Sequence, residues 1–363
     1  MVRQAAQPAL VMGALILASL AADAADPAHL RRLTESGQCP ACDLSGADLS
    51  SMRLMSANLS GANLRGANLR KAILFRADLT GADLRDANLE KASLGRVILN
   101  GANMAALDLA GARLAHAELR DAQLQDARLP DAMLEHADLG GANLAGANLA
   151  NSSLRFARLD STNMERTDLR GADLRELDLR RVASLRNSDM SRSRFRNSLL
   201  DGLDLSGSRL EDAELHASSL AGARLDSVSM KSIVMRKPDL NQASLAGADL
   251  ERASISGAKL TGAKLTGVKA DNAILQGNLI GCDLSGGTFK GADLSGTNLK
   301  DAVLRNANLS QANLSTSNLC AADLSGAVLV RANLRGANLR EAHLDGADLT
   351  GAVLDGTLGA PSN

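Results

Sequence analysis

The amino-acid sequence predicts an all-β solenoid, a coil of short extended segments joined by corners, rather than a set of globular domains. Three observations predict it. Leucine recurs every five residues along most of the chain. The chain is 45% hydrophobic yet only 1% aromatic, with no Trp, no Tyr and four Phe. Every position that such a coil would turn inward is free of charge. A globular core of this size normally fills irregular space with aromatic rings. A core made almost wholly of Ala and Leu has to be narrow and regular, so that one small and one medium side chain fill it repeatedly.

The five-residue period is visible in Ala47-Asp48-Leu49-Ser50, Ala62-Asn63-Leu64-Arg65-Gly66 and Ala82-Asp83-Leu84-Arg85-Asp86. Counting Leu as central, the centres run from 44 to 179, resume after one extra residue from 185 to 275, and after one lost residue run from 279 to 354. There are 63 such centres, and only Ala270 is not a large apolar residue. A helix cannot use this pattern: at about 100° per residue, five residues advance about 140°, so the leucines would spray around the axis. A plain strand cannot either, because an odd period puts successive leucines on opposite faces. Three extended residues followed by a corner do fit. The centre and the residue two before it then point inward, and the residue between them points out. The last two turn the corner, often with Gly second, which tolerates positive φ. Stacked coils of this kind lie about 4.8 Å apart.

The pattern A-(D/N)-L-x-x, as in Ala142-Asn143-Leu144-Ala145-Gly146, resembles the pentapeptide repeat proteins, over Cys42 to about Gly356. The resemblance implies a right-handed quadrilateral β-helix with four repeats per coil. That gives about 16 coils and a length of about 75 Å at strand spacing. The run from Cys39 to Leu49 also resembles the start of exported solenoids of this kind.

The remaining segments follow in order. Residues 1–24 read as a secretory signal: Arg3 supplies the basic start, Ala9 to Leu20 an uncharged apolar run, and Ala22-Asp23-Ala24 a small-x-small cleavage pattern. Residues 25–41 hold a short capping helix over 26–36, with Asp26-Pro27 as its start, and the C-x-x-C entry. The repeats occupy 42–356, and 357–363 form a polar tail. Twelve apolar residues are too few to span a bilayer, so no membrane span is expected once the signal is cleaved. The mature protein is expected in the periplasm or outside the cell, as a monomer.

None of the 126 inward positions is charged and none is His. A buried ion would cost several kcal/mol. Any catalytic group would sit on a convex, wet surface, whereas active sites prefer concave pockets. No enzymatic activity, metal or cofactor is therefore expected. Cys39 and Cys42 admit three readings: a disulfide staple, which is preferred because Cys42 falls at an inward position; unpaired structural thiols; or a redox or zinc pair, which lacks further ligands. Cys282 falls inward and Cys320 outward, about two coils apart and too distant for a bond.

The outer surface carries the functional candidates. With four repeats per coil, positions 20 apart stack, giving the column Arg76, Arg96, His116, His136, Phe156, Glu176. The same face bears Arg53, Phe75, Arg113, Arg155 and Arg175. If the extra residue near 182 is absorbed as a bulge, it continues with Arg194, Arg196, His216, Arg236 and Lys237. From Arg53 to Gly277 this face has ten basic residues against Glu135, Asp173, Glu176 and Glu214. A chance bias of a solvated face competes with an anion- or protein-binding role. The segment Arg180 to Arg196, with six Arg and Ser at its inward small positions, reads as a locally looser coil.

Formal net charge is −1, with 40 basic and 41 acidic residues, so bulk charge argues for neither nucleic-acid nor membrane-surface binding. The expected function is a non-enzymatic exported scaffold that engages a protein or an anionic polymer along its flat faces. The alternative, DNA mimicry against a topoisomerase as in some members of the family, would require a strongly acidic surface and a cytosolic location.

Overall fold

The computed structural model describes residues 25–359, so the signal segment and the last four residues of the tail lie outside the described residues. The chain forms two compact units, one ending at Met164 and the other beginning at Glu165.

Each unit is built from five-residue repeats. In the first, parallel bridges join residues 20 apart, as in Asp43↔Asn63, Asn63↔Asp83 and Asp83↔Asn103. Twenty residues are four repeats, so equivalent positions of every fourth repeat are neighbours. In the first unit the centres and nearly all the residues two before them are buried, Met52 and Ala112 being half-buried: Leu64, Ala67, Leu69 and Ala72 are all 0% exposed. Burying each such leucine contributes roughly 1.5–3 kcal/mol. The corner's second residue has φ near +60° whether it is Gly66 (67°), Arg96 (56°) or His116 (58°).

The outward residue between the two inward ones has a structural duty. When it is Asp or Asn, its side-chain oxygen accepts the N–H of the residue two places on. Ser45 donates to Asp43 at 3.1 Å, Ser50 to Asp48 at 3.0 Å and Arg65 to Asn63 at 3.2 Å. This bond occupies a donor at the corner, and it explains the D/N preference that side-chain direction alone leaves open. Amides also bond up the stack: Asn318 donates to Asn298, and Asn338 to Asn318, each at 3.1 Å.

The first unit begins with α1 (Pro27–Ser36). Asp26 caps it by accepting the Ala28 N–H at 2.8 Å, and Gly37 ends it at φ 67°. Leu33 is 1% exposed. His29 Nδ1 accepts the N–H of Asp43 at 3.1 Å, tying the helix to the first repeat. Cys39 and Cys42 are joined by a disulfide. The Sγ of Cys39 lies 3.3 Å from the His29 carbonyl oxygen, a contact without a hydrogen bond because the oxidised sulfur has no proton.

The second unit holds three short parallel strands, β1 (Val234–Arg236), β2 (Ser254–Lys259) and β3 (Ile274–Asn278), in that order. It also absorbs both breaks in the period. Bridges stretch to 21 residues at Asp168↔Asp189 and Asp173↔Arg194, then return to 20. Strict counting puts Ala183 inward, but Val182 is buried (8%) and Ala183 is exposed. The larger apolar side chain takes the core, and the extra residue bulges after it. The shortening falls between β2 and β3, where Ala258 pairs with Gly277 at 19 residues. Gly277 has φ 153°, and a Cβ there would lie 2.3 Å from the Ala258 carbonyl oxygen, so only glycine fits.

Two further expectations are corrected. Arg180 to Arg196 is not looser by burial: Met190, Ser193 and Phe195 are 0% exposed. The inward serines keep the coil closed because their hydroxyls bond to backbone carbonyls, as Ser193 does to Met190 at 2.5 Å and Ser198 to Leu174 at 2.7 Å. The tail also starts later than expected. Thr357 donates to the Leu334 carbonyl at 2.9 Å, and Leu358 bridges Asn338, so both belong to the last coil.

Candidate functional site

The corner column of the first unit is a row of backbone positions that favour glycine but carry large side chains instead. Arg76, Arg96, His116, His136 and Phe156 all have φ between 56° and 59°. A left-handed conformation costs an L-residue roughly 1–2 kcal/mol. Their neighbouring stations follow from the backbone: Arg76 N–H donates to Gly95, Arg96 to Ala115, His116 to Glu135 and His136 to Arg155, at 2.9–3.2 Å.

The side chains form a continuous stack. The His116 and His136 rings are parallel within 2°, with centroids 4.8 Å apart, and Phe156 stacks on His136 at 4.9 Å. Guanidinium groups cover the phenyl rings, Arg76 over Phe75 at 5.4 Å and Arg155 over Phe156 at 5.1 Å. Beside this column runs a second one, Arg53, Ile73, Ser93, Arg113, Met133 and Ser153, joined in that order by bridges. Arg76, Arg96 and His116 also form one wall of an open surface recess whose other side is Ile98 and Glu118.

Pairing distinguishes this face from the others. On the other faces of the first unit most cations meet acids: Arg65–Asp86 at 3.0 Å, Arg70–Glu90 at 3.1 Å, Arg85–Asp83 at 2.6 Å and Arg120–Asp138 at 3.4 Å. Lys91, Arg128 and Arg158 are paired as well. Arg53, Arg76, Arg96 and Arg113 make no ion pair among the described residues; elsewhere in the unit Lys71 of the coil and Arg31 and Arg32 of α1 make none either. The pairing acts on the acids too: hydrogen bonding from Arg85 outweighs burial and holds the Asp83 carboxyl below its usual range.

The candidates of the second unit fall into three stations. Arg175, Arg196 and Arg236 share a column with His216, because the N–H groups of Glu176, Asn197 and Ala217 bond to the carbonyls of Arg196, His216 and Arg236. Arg194 stands between Asp173 and Glu214, and Lys237 occupies a corner at φ 54°. Arg175 is paired with Asp173 at 2.5 Å, whereas Arg194, Arg196, Arg236 and Lys237 make no ion pair among the described residues. The sequence places all these residues on faces but is silent on their pairing, which depends on side-chain direction.

Among the described residues no three metal-binding side chains come together, and no helix is long and apolar enough to cross a membrane. Cys282 is buried and donates to the Leu260 carbonyl; burial pushes its thiol up to about 12, which leaves it un-ionised at neutral pH. Cys320 is half-buried and free.

Comparison with known families bears on this repeating architecture. A model described as "Pentapeptide repeats" matches residues 41–70, 137–176, 183–216, 236–277, 278–315 and 317–356, and one described as "Pentapeptide repeat region" matches 72–149. The chain belongs to the pentapeptide repeat family. Comparison with curated protein sequences finds no match. Among solved pentapeptide repeat proteins it is similar to HetL of the cyanobacterium Nostoc, involved in heterocyst differentiation regulation. The two are 31% identical over 65% of this chain and 88% of that one, with a TM-score of 0.25. It is also similar to a pentapeptide repeat protein of the Arabidopsis thaliana thylakoid lumen, at 29% identity, 33% and 70% coverage and a TM-score of 0.18. QnrB1, a plasmid-mediated fluoroquinolone resistance protein, is 20% identical over 61% and 90%, with a TM-score of 0.24. Family membership rests on the repeats matched.

Proposed function

We propose that this pentapeptide repeat protein is an exported, non-enzymatic scaffold that binds an anionic partner along one face of its coil. The coil is read as the right-handed quadrilateral β-helix of about 16 turns that the family implies, at four repeats per turn. The single observation that carries the binding role is one face of the first unit whose Arg53, Arg76, Arg96 and Arg113 make no ion pair among the described residues. Exposed ion pairs contribute only about 0–1 kcal/mol each, so pairing elsewhere is not a condition of folding. Stacked like charges are mildly unfavourable. A face that keeps Arg53, Arg76, Arg96 and Arg113 unpaired among the described residues, with Arg76 and Arg96 at corners that favour glycine, carries a small stability cost that anion binding would offset. The unpaired charge is positive, which favours this reading over mimicry of DNA.

Export is supported by the disulfide at the start of the coil, a bond that persists in oxidising compartments, together with the signal pattern of residues 1–24. The binding role is tested by titrating poly-L-glutamate against the mature chain. Saturable binding that weakens steadily as salt is raised is expected, since exposed charges are screened beyond about 8 Å at physiological ionic strength. Absence of binding at low salt contradicts the role. Mass spectrometry of the protein from its native host tests export: a mature terminus at Ala25 in the envelope or medium is expected, and an intact Met1 on cytosolic protein would overturn it.

A further inference from the structure

We infer that the partner of the first unit's basic face is a protein, specifically an acidic segment bearing apolar side chains, and not a polysaccharide or nucleic-acid polyanion; this rests on reading that face as anion-binding. The observation is a coincidence of two independent features. Three large hydrophobic side chains of the first unit are strongly exposed among its described residues: Met55 (50%), Met133 (44%) and Phe156 (43%). All three stand on the same face as the unpaired arginines. Single exposed hydrophobics are ordinary, but here the only three share one face of four with Arg53, Arg76, Arg96 and Arg113.

The side-chain types point to protein. Arg, Met and aromatic residues are enriched where proteins meet proteins, while Lys, Glu and Asp are depleted. Across the six stations from Arg53 to Phe156 there are five Arg, two His and no Lys, and Glu135 is the single acid. Met side chains add nothing to the recognition of a sulfate, uronate or phosphate chain, but they pack readily against irregular apolar groups.

The ring geometry separates the classes further. Sugars and bases are held by stacking on an aromatic face. The Phe156 ring is already engaged, stacked on His136 at 4.9 Å and with the Arg155 guanidinium over it at 5.1 Å. These contacts hold the part-exposed ring in place before binding, which suits packing against an aliphatic or aromatic side chain. Arg113 and Met133 are bridged neighbours, so a cation and an apolar anchor stand one rung apart. Six stations span about 24 Å, which matches about seven residues of extended chain. That is a segment of a partner rather than the roughly 800 Å² that two globular proteins usually contribute each.

Three probes of matched length decide this: poly-L-glutamate, a glutamate–tyrosine copolymer, and polygalacturonate. They are titrated against the wild-type chain and against the double variant Met133→Ser with Phe156→Ser. Both residues are exposed, so the variant is expected to keep the wild-type melting temperature. The copolymer should bind about ten-fold more tightly than polyglutamate, a ratio that corresponds to about 1.4 kcal/mol. In the double variant that advantage should vanish while polyglutamate binding is unchanged. Equal affinity of the two polypeptides for the wild type, tighter binding of polygalacturonate, or an advantage that survives in the double variant would overturn the inference and leave the anion-binding reading standing. Failure of all three to bind would overturn the anion-binding reading itself.

Discussion

Arg65 and Arg85 stand 20 residues apart on one column of the first unit, and Arg76 and Arg96 stand 20 apart on another. The two pairs share charge and spacing. They differ in what stands opposite them. Arg65 meets Asp86 at 3.0 Å and Arg85 meets Asp83 at 2.6 Å, while Arg76 and Arg96 make no ion pair among the described residues. They differ also in conformation, since Arg76 and Arg96 sit at positive φ and Arg65 and Arg85 do not. The repeat therefore dictates where a side chain stands but not what neutralises it. The first column reads as a surface satisfied within the chain. The second has charge left over, at positions where glycine would be more comfortable.

The strongest way to break this comparison is to destroy the coil that supports both columns. Leu144 is 1% exposed. Leu144→Asp removes about 1.5–3 kcal/mol of burial and adds an unpaired buried charge. It should abolish the cooperative melting transition. Ala145→Asp, one residue on and facing outward, should move the midpoint little, within the roughly 0.5 kcal/mol usual for surface changes. Equal damage from both would contradict the inward and outward assignment on which the two columns depend.

A smaller effect separates the columns by conformation. Arg96→Gly should raise stability by about 1 kcal/mol, because it relieves a left-handed residue, and it should weaken polyglutamate binding. Arg85→Gly relieves nothing and loses the pair to Asp83, so it should lower the melting midpoint and leave binding alone. Thermal melts and titrations on the two variants check both statements. The smallest effect lies in acid. The Asp83 carboxyl is held below its usual range by Arg85, so its contribution to stability is complete above the unfolded value of about 3.9 and fades as pH falls through the lower folded value. Asp83→Asn should therefore reduce the loss of stability below about pH 4, whereas Arg76→Gln should leave the acid limb of the melting curve unchanged.

Much of the fold was legible in the sequence because a single five-residue rule repeats along it. The rule named the inward pairs, the corner glycines and both breaks in register, and Asp26-Pro27 marked the start of α1. It failed where two residues competed for one role, as when Val182 displaced Ala183 from the core, since a period cannot weigh side-chain size. The D/N preference was plain as a pattern, but its cause, a bond to the N–H two residues on, needs the corner's geometry. For the candidate face, the stacking of His116, His136 and Phe156 followed from spacing. The ion pairs did not, because Arg65 reaches a corner acid on the next coil while Arg85 turns to Asp83 two residues away, a choice made by rotamer.

The central claim is that function resides on the unpaired column. It is tested most directly by two charge-reversed doubles, Arg76→Glu with Arg96→Glu and Arg65→Glu with Arg85→Glu, titrated with poly-L-glutamate at low salt. Both change the net charge equally and at equal spacing. The account predicts that the first double loses affinity by about ten-fold or more, some 1.4 kcal/mol, while the second stays within about two-fold of the wild type. Equal losses in the two doubles would contradict it, because polyglutamate would then be responding to total charge and not to the face.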